Sequence, residues 1–184
     1  LAETEQPYAV VDALNAVKPA YINPYGMNNA DAARDLAMQL PPDDGSVTRV
    51  LDIGCGPGNS TAVLRERYPH AKILGVDSSP VMIETARKTY PDIDFQLCDV
   101  SARLDELPAD FDVVFSNACI QWVPDHPHLI PGLLARLRVG GVLAVQTPMN
   151  YEEPIHRIIG GIVHSPAFAD KLPQQREFYN LTAR

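Results

Sequence analysis

The sequence predicts an α/β fold, a doubly wound parallel sheet, and three observations carry that expectation. Short apolar runs of strand length recur at 49–53, 71–76, 93–97, 111–115 and 142–146. Helically spaced stretches lie between them, and strands alternating with helices imply parallel pairing through right-handed crossovers. The first run leads into Gly54-Cys55-Gly56-Pro57-Gly58 and then a helical pattern. That order of strand, glycine loop and helix start makes a site for a small polar ligand at the carboxyl end of a sheet.

The elements follow in order. Residues 1–30 are ambiguous: Val10, Val11, Leu14 and Val17 share one face of a short helix, while Pro19 and Asn23-Pro24-Tyr25-Gly26 read as loop. Residues 30–40 form a helix with Ala33, Leu36, Ala37 and Leu40 as its stripe, ended by Pro41-Pro42-Asp43-Asp44-Gly45. Arg49–Ile53 is a buried strand, apolar at Val50, Leu51 and Ile53, with Asp52 inside it. The glycines are spaced G-x-G-x-G, one residue short of the dinucleotide fingerprint G-x-G-x-x-G, and Asn59 holds the third glycine's place. A helix then spans Ser60 to Tyr68, with Ser60 or Thr61 as its cap.

The second strand, Ala71 to Val76, ends in Asp77. An acid there can accept from both hydroxyls of a ribose. It can equally cap the next helix, Ser79 to Lys88, through Asp77-Ser78-Ser79-Pro80. In that helix Val81 or Met82 turns towards the site, and a methionine can lie against an adenine face or simply fill core. The third strand, Ile93 to Leu97, ends in Cys98-Asp99, and Asp99 can accept from an adenine amino group or cap. The fourth, Phe111 to Phe115, leads into Ser116-Asn117-Ala118. A helix from His126 to Arg138 carries Leu129, Leu133, Leu134 and Leu137, and Gly140-Gly141 breaks it before strand Val142 to Gln146. Residues 152–163 look helical, and the tail from Ser165 is polar and irregular.

The length of 184 residues suits one domain, divided as an N-terminal helical or lid segment 1–46, a binding domain 47–164 and a tail 165–184. A net charge of −8 argues against nucleic acid or an anionic membrane as partner. It also means that an anionic substrate would need a local cationic patch. Three cysteines without metal-ligand spacing argue against a disulfide framework or a metal site. Cys55 and Cys98 read as small packing residues. No stretch is apolar for 18 residues, and the acidic start Leu1-Ala2-Glu3-Thr4-Glu5-Gln6 lacks a signal peptide's basic beginning. A soluble, reducing, cytoplasmic setting is expected; the oligomeric state stays open.

The segments VLDIGCGPGNST, GVDSSPVMI, CDV, FDVVFSNACIQWVPD and GGVLAVQTP, in this order, resemble the class I S-adenosylmethionine-dependent methyltransferases. The resemblance spans roughly residues 47–160 and is strongest to the trans-aconitate methyltransferase group. It implies a Rossmann-like sheet and S-adenosyl-L-methionine as cofactor. Residue by residue, it places the backbone of Gly54, Gly56 and Gly58 along the methionine portion and Asp52 near that end, through the ammonium group. It gives Asp77 to the ribose, Met82 and Asp99 to the adenine, and Asn117-Ala118 to the methionyl side, with Cys55, Ser78 and Val100 also among the cofactor-binding residues. Gln121 and Trp122 should face the reacting centre; Trp122 can wall the acceptor pocket, hold the sulfonium by cation–π contact, or be plain core. His126, His128, His156 and Arg157 follow strands four and five, and Arg157, with a planar fork, is the candidate carboxylate partner.

The implied reaction is esterification of a carboxylate of a small polycarboxylic acid. Such an acceptor is already ionised at neutral pH, so no residue is named as a base; catalysis is alignment and exclusion of water. A carboxyl methyltransferase for a malonyl group on a carrier protein, another small-molecule methyltransferase and a non-catalytic cofactor-binding scaffold remain open. A dinucleotide oxidoreductase is disfavoured by the glycine spacing. Class I members usually add an antiparallel hairpin after this point. No candidate strands follow residue 164, so the hairpin is expected to be missing, as in a fragment or a truncated pattern, leaving an open sheet edge.

Overall fold

A computed structural model describes residues 29–148. The ambiguous segment 1–28, the 152–163 helical pattern, His156 and Arg157 lie outside the described residues. The elements run α1 (Asn29–Ala37), β1 (Arg49–Ile53), α2 (Asn59–Arg67), β2 (Lys72–Asp77), α3 (Pro80–Thr89), β3 (Asp94–Leu97), α4 (Val100–Arg103), β4 (Phe111–Asn117), α5 (His126–Leu134) and β5 (Leu137–Gln146). Two short 3-10 turns, Leu104–Glu106 and Ile120–Trp122, interrupt the connections.

The described strands form one parallel sheet in the order β3-β2-β1-β4-β5. From β1 the chain winds outward through β2 and β3, then returns across to β4. The strand order therefore reverses between β1 and β4, and a crevice opens there at the carboxyl ends. Alternation along β1 sorts its side chains. Val50 joins Ala33, Ala37, Val63, Leu64 and Tyr68 in a core under α1 and α2. Leu51 and Ile53 join Val76, Val114, Ile120 and Leu133 in a core on the opposite face. Full burial of side chains like Leu51 and Ile53 is worth about 1.5–3 kcal/mol each. Helix α1 thus contributes to the same core as the sheet.

The structure corrects several boundaries. Helix α2 begins at Asn59 behind Gly58, which makes no side-chain cap; Ser60 and Thr61 spend their hydroxyls on Asp52 instead. Ser79, not Asp77, caps α3, its side chain accepting from the Met82 amide. Helix α5 stops at Leu134, so Leu134 is exposed and Leu137 belongs to β5. The helix cannot continue because Leu137 pairs with Phe111, and the Phe111 amide donates to the Arg136 carbonyl at 3.0 Å. Gly140-Gly141 therefore lies inside β5, in a bulge between the pairs Phe111–Leu137 and Val113–Val142.

Asp112 is the β4 residue facing that bulge, and it ties three segments together. It accepts from the Thr48 amide (2.7 Å), the Thr48 hydroxyl (3.0 Å), the Arg49 amide (2.8 Å) and the Arg138 guanidinium of β5. Burial pushes its carboxyl up, but these donors outweigh burial and hold it down at about 2, against an ordinary value of 3.8. Because its folded pKa is depressed, its stabilisation is complete above about pH 4 and lost as pH falls towards 2. Asp112→Ala is expected to lower unfolding free energy by about 2 kcal/mol at pH 7. The urea midpoints of mutant and wild type should converge as pH falls from 4 to 2; a constant gap would contradict this account.

Candidate functional site

The crevice at the β1–β4 switch point is a cleft of about 650 Å³, within the range of small-molecule sites. Its floor is the glycine loop. The Gly54 and Cys55 amides both donate to the Val76 carbonyl, at 2.8 and 3.0 Å, one step beyond the β1–β2 ladder. Gly54, Cys55, Gly56 and Pro57 of the loop then line the cleft. A Cβ at Gly54 would stand 2.1 Å from Cys119 Sγ, so only glycine lets β1 pass this close to the segment after β4. A Cβ at Gly56 would meet nothing within 4 Å. The loop backbone at Gly56 is thus bare on one side, as a ligand lying against it requires.

Asp77 braces the loop. One carboxylate oxygen accepts from the Gly56 amide at 3.0 Å, the other from the Ser79 amide at 2.8 Å. Each oxygen has a further lone pair, so the same carboxylate can accept two donors from a ligand. Asp99, at the end of β3, accepts from the Ser101 amide (3.0 Å) and hydroxyl (2.7 Å) and caps α4. Both acids line the cleft, together with Ser78, Met82 and Val100 on their side. Asn117, Ala118 and Trp122 line the opposite wall, and Cys55 and Gly56 the base. Among the described residues the lining holds these two carboxylates and no Lys or Arg, a field that favours a cation.

Other expected site residues lie elsewhere. Gly58 sits under the Tyr90 and Phe95 rings and does not line the cleft. Gln121 is 2% exposed and points away from the lining; in a 3-10 turn of three residues Ile120 and Gln121 go inward and Trp122 outward. Asp52 lies beneath the loop, fully buried. One of its oxygens takes the hydroxyls of Ser60 and Thr61, each at 2.7 Å. The other has no partner among the described residues. Burial pushes its carboxyl up to about 6, against the two hydroxyl bonds that pull it down. Ser60 also lines the cleft, so it bridges ligand space and Asp52. His128 is exposed beside Asp125, and His126 is buried against the Ile120 carbonyl. Arg157 lies outside the described residues.

Among the lining groups that escaped sequence reasoning are Asn59 and Ser60 at the start of α2, and Cys119. Asn59 could have been found, since it follows the glycine loop into a helix N-terminus, where donors gather. Cys119 could not, because its opposition to Gly54 exists only once β1 and β4 are neighbours. All three cysteines line this one cleft. Burial pushes the thiols up, that of Cys119 to about 12, which disfavours their thiolate forms. No described helix is long and apolar enough to cross a membrane.

A methyltransferase-domain profile matches residues 50–141, which is 92 of the 184 residues. Over 128 residues the chain is 50% identical to trans-aconitate 2-methyltransferase of Azoarcus sp. (strain BH72), covering 70% of this chain and 49% of that protein. Over 167 residues it is 39% identical to the enzyme of the same name from Enterobacter sp. (strain 638), covering 89% and 65%. The chain thus spans about half to two-thirds the length of the curated relatives it matches. Among solved structures, CalS10 is an amino pentose methyltransferase from Micromonospora echinaspora with S-adenosylmethionine bound. It superposes with a TM-score of 0.57 at 24% identity, covering 76% of this chain and 56% of that one. Streptomyces venezuelae DesVI gives 0.56 at 22%, covering 77% and 57%. At these identities the likeness is one of fold.

Proposed function

Because the chain belongs to the methyltransferase-domain family, we propose that it binds S-adenosyl-L-methionine in this cleft and esterifies a carboxylate of a small polycarboxylic acid, trans-aconitate being the acceptor. The observation that carries the acceptor is the 50% identity to a trans-aconitate 2-methyltransferase, over a stretch holding most of the described chain. The carrier-protein and scaffold readings draw no support from these relatives.

The residues present fit the cofactor. The bare backbone at Gly56 takes a ligand that lies flat along the loop. The spare lone pairs of Asp77 suit a ribose, and Met82 and Val100 offer an apolar surface beside Asp99 for a base. The two carboxylates, with no lining cation among the described residues, suit a ligand carrying positive charge. Bound there, the cofactor supplies an electrophilic methyl group. The chain's own work is then positional. The glycine loop and Asp77 fix one end of the ligand. Trp122, on the wall after β4, narrows the acceptor side and excludes water. A carboxylate acceptor arrives without a proton to lose, so this transfer calls for no general base.

Incubation with labelled cofactor and a panel of trans-aconitate, cis-aconitate and citrate tests this reading. A base-labile methyl ester, formed most readily on trans-aconitate, is expected; no ester on any acid sinks it. For the ribose contact, Asp77→Ala should weaken S-adenosylhomocysteine binding by about 1–3 kcal/mol, the range for a lost charge-assisted hydrogen bond. Calorimetry reads this directly, and an unchanged affinity counts against it.

A further inference from the structure

The wall of the cleft after β4 is held at spaced points. Its start is pinned to β5, the Ala118 amide donating to the Gln146 carbonyl at 2.8 Å. Cys119 is seated against Gly54. The 3-10 turn Ile120–Trp122 closes through the Val123 amide to the Ile120 carbonyl at 3.0 Å. That same carbonyl meets the Nε2 of His126, the first residue of α5, at 2.7 Å. A carbonyl only accepts, so Nε2 carries the proton and donates. The imidazole is 8% exposed and the Ile120 side chain fully buried. His126 does not line the cleft, yet it holds the first residue of a turn whose last residue, Trp122, does.

We propose that His126 is a positioning residue for methyl transfer: by donating to the Ile120 carbonyl it fixes the orientation of the 3-10 turn and so sets Trp122 as the acceptor-side wall. Three features support this. The turn has one outward position, so a small rotation about Ile120 moves Trp122 rather than its buried neighbours. The helix that carries His126 is anchored independently, through Leu129, Ile130 and Leu133 in the core. The link from α5 to the turn is short, and Asp125 within it adopts a left-handed conformation (φ 59°) that brings His126 back over Ile120. The cofactor side of the cleft is built from the glycine loop, β2 and β3, and Asn117-Ala118 is held separately by the Ala118 amide on β5, so neither depends on this bond. The inference rests on the methyltransferase reading for its kinetic consequence, but its structural half can be read without any acceptor.

Trp122 is the sole tryptophan of the chain, so its fluorescence reports this wall alone. In His126→Leu, which cannot donate, acrylamide quenching of Trp122 should rise about twofold, and KM for trans-aconitate about tenfold, a displacement effect on positioning. The S-adenosylhomocysteine Kd should stay within about twofold, because the cofactor contacts are made elsewhere. His126→Gln keeps a donor of similar reach and should restore quenching and KM. If His126→Leu does not fold, His126→Asn, too short to reach Ile120, takes its place in comparison with His126→Gln. Unchanged quenching in the non-donating variant overturns the proposal. So does a KM and cofactor Kd that worsen equally, since that marks a general loss of structure. If wild type methylates no acid, the reading of function fails, and the quenching comparison still decides the role of His126.

Discussion

Gly54→Ala is expected to destabilise the protein by about 4 kcal/mol, the sum of a left-handed backbone strained by a Cβ and of overpacking. Gly54 sits at φ +72°, and the added Cβ would stand 2.1 Å from Cys119 Sγ and 2.3 Å from Cys119 Cβ. Neither atom is the free end of a long side chain. Cys119 follows Ala118, itself at φ +53° and bonded to β5, so the segment has little room to retreat. The clash can therefore be relieved only by parting β1 from the turn after β4, which opens the cleft at its floor. Cofactor affinity should fall with stability. Cys119→Ala removes Sγ but leaves the Cβ 2.3 Å away and so gives only partial relief, whereas Cys119→Gly removes both contacts. The double variant Gly54→Ala/Cys119→Gly should recover about half of the lost stability, leaving only the backbone strain. Urea unfolding of the two single variants and the double closes the cycle. A double variant no more stable than Gly54→Ala alone would refute the steric half of the argument.

That contact also marks the limit of what could be read beforehand. The four strands up to β4 were legible within two residues, because buried parallel strands are short apolar runs and each ends in a glycine, acid or amide that starts a loop. The fifth strand and its preceding helix were misjudged together. Leu137 fits a helical stripe as well as a strand, and Gly140-Gly141 reads as a break until β4 supplies a partner whose Asp112 faces a bulge. At the site, Gly56, Asp77 and Asp99 were legible because each is a local feature: a loop at a strand end, or an acid before a helix. Whether Asp52 and Gln121 look into the cleft was not. That depends on which way a strand residue or a 3-10 residue points, and one position of rotation sends Trp122 outward and Gln121 into the core. Arg157, the expected carboxylate partner, lies outside the described residues.

Asp52 gives the second large effect, and its sign is opposite to that of Asp112. Its carboxyl is fully buried, has one oxygen without a partner, and is pushed up to about 6 by burial, with the nearby Asp77 adding to the shift. The folded state therefore binds a proton more tightly than the unfolded chain, whose ordinary value is 3.8. The stability this group lends is complete below about pH 4 and is lost as pH rises through about 6. The two values imply a loss of about 2 kcal/mol from pH 4 to pH 7. In Asp52→Asn that slope should be missing, because the amide does not titrate. The difference between wild type and variant in urea unfolding, measured at unit steps from pH 4 to pH 7, cancels the other groups and should fall by that amount. A flat difference would mean that the carboxylate is solvated in the folded protein. The ligand then supplies a finer test. Ser60 connects Asp52 to the cleft, so positive charge held there favours the ionised carboxylate. Saturating S-adenosylmethionine should shrink the wild-type slope more than S-adenosylhomocysteine does, because only the former carries a sulfonium. Equal effects of the two would place the sulfonium too far from Asp52 to be felt, and would remove this carboxylate from the electrostatics of the site.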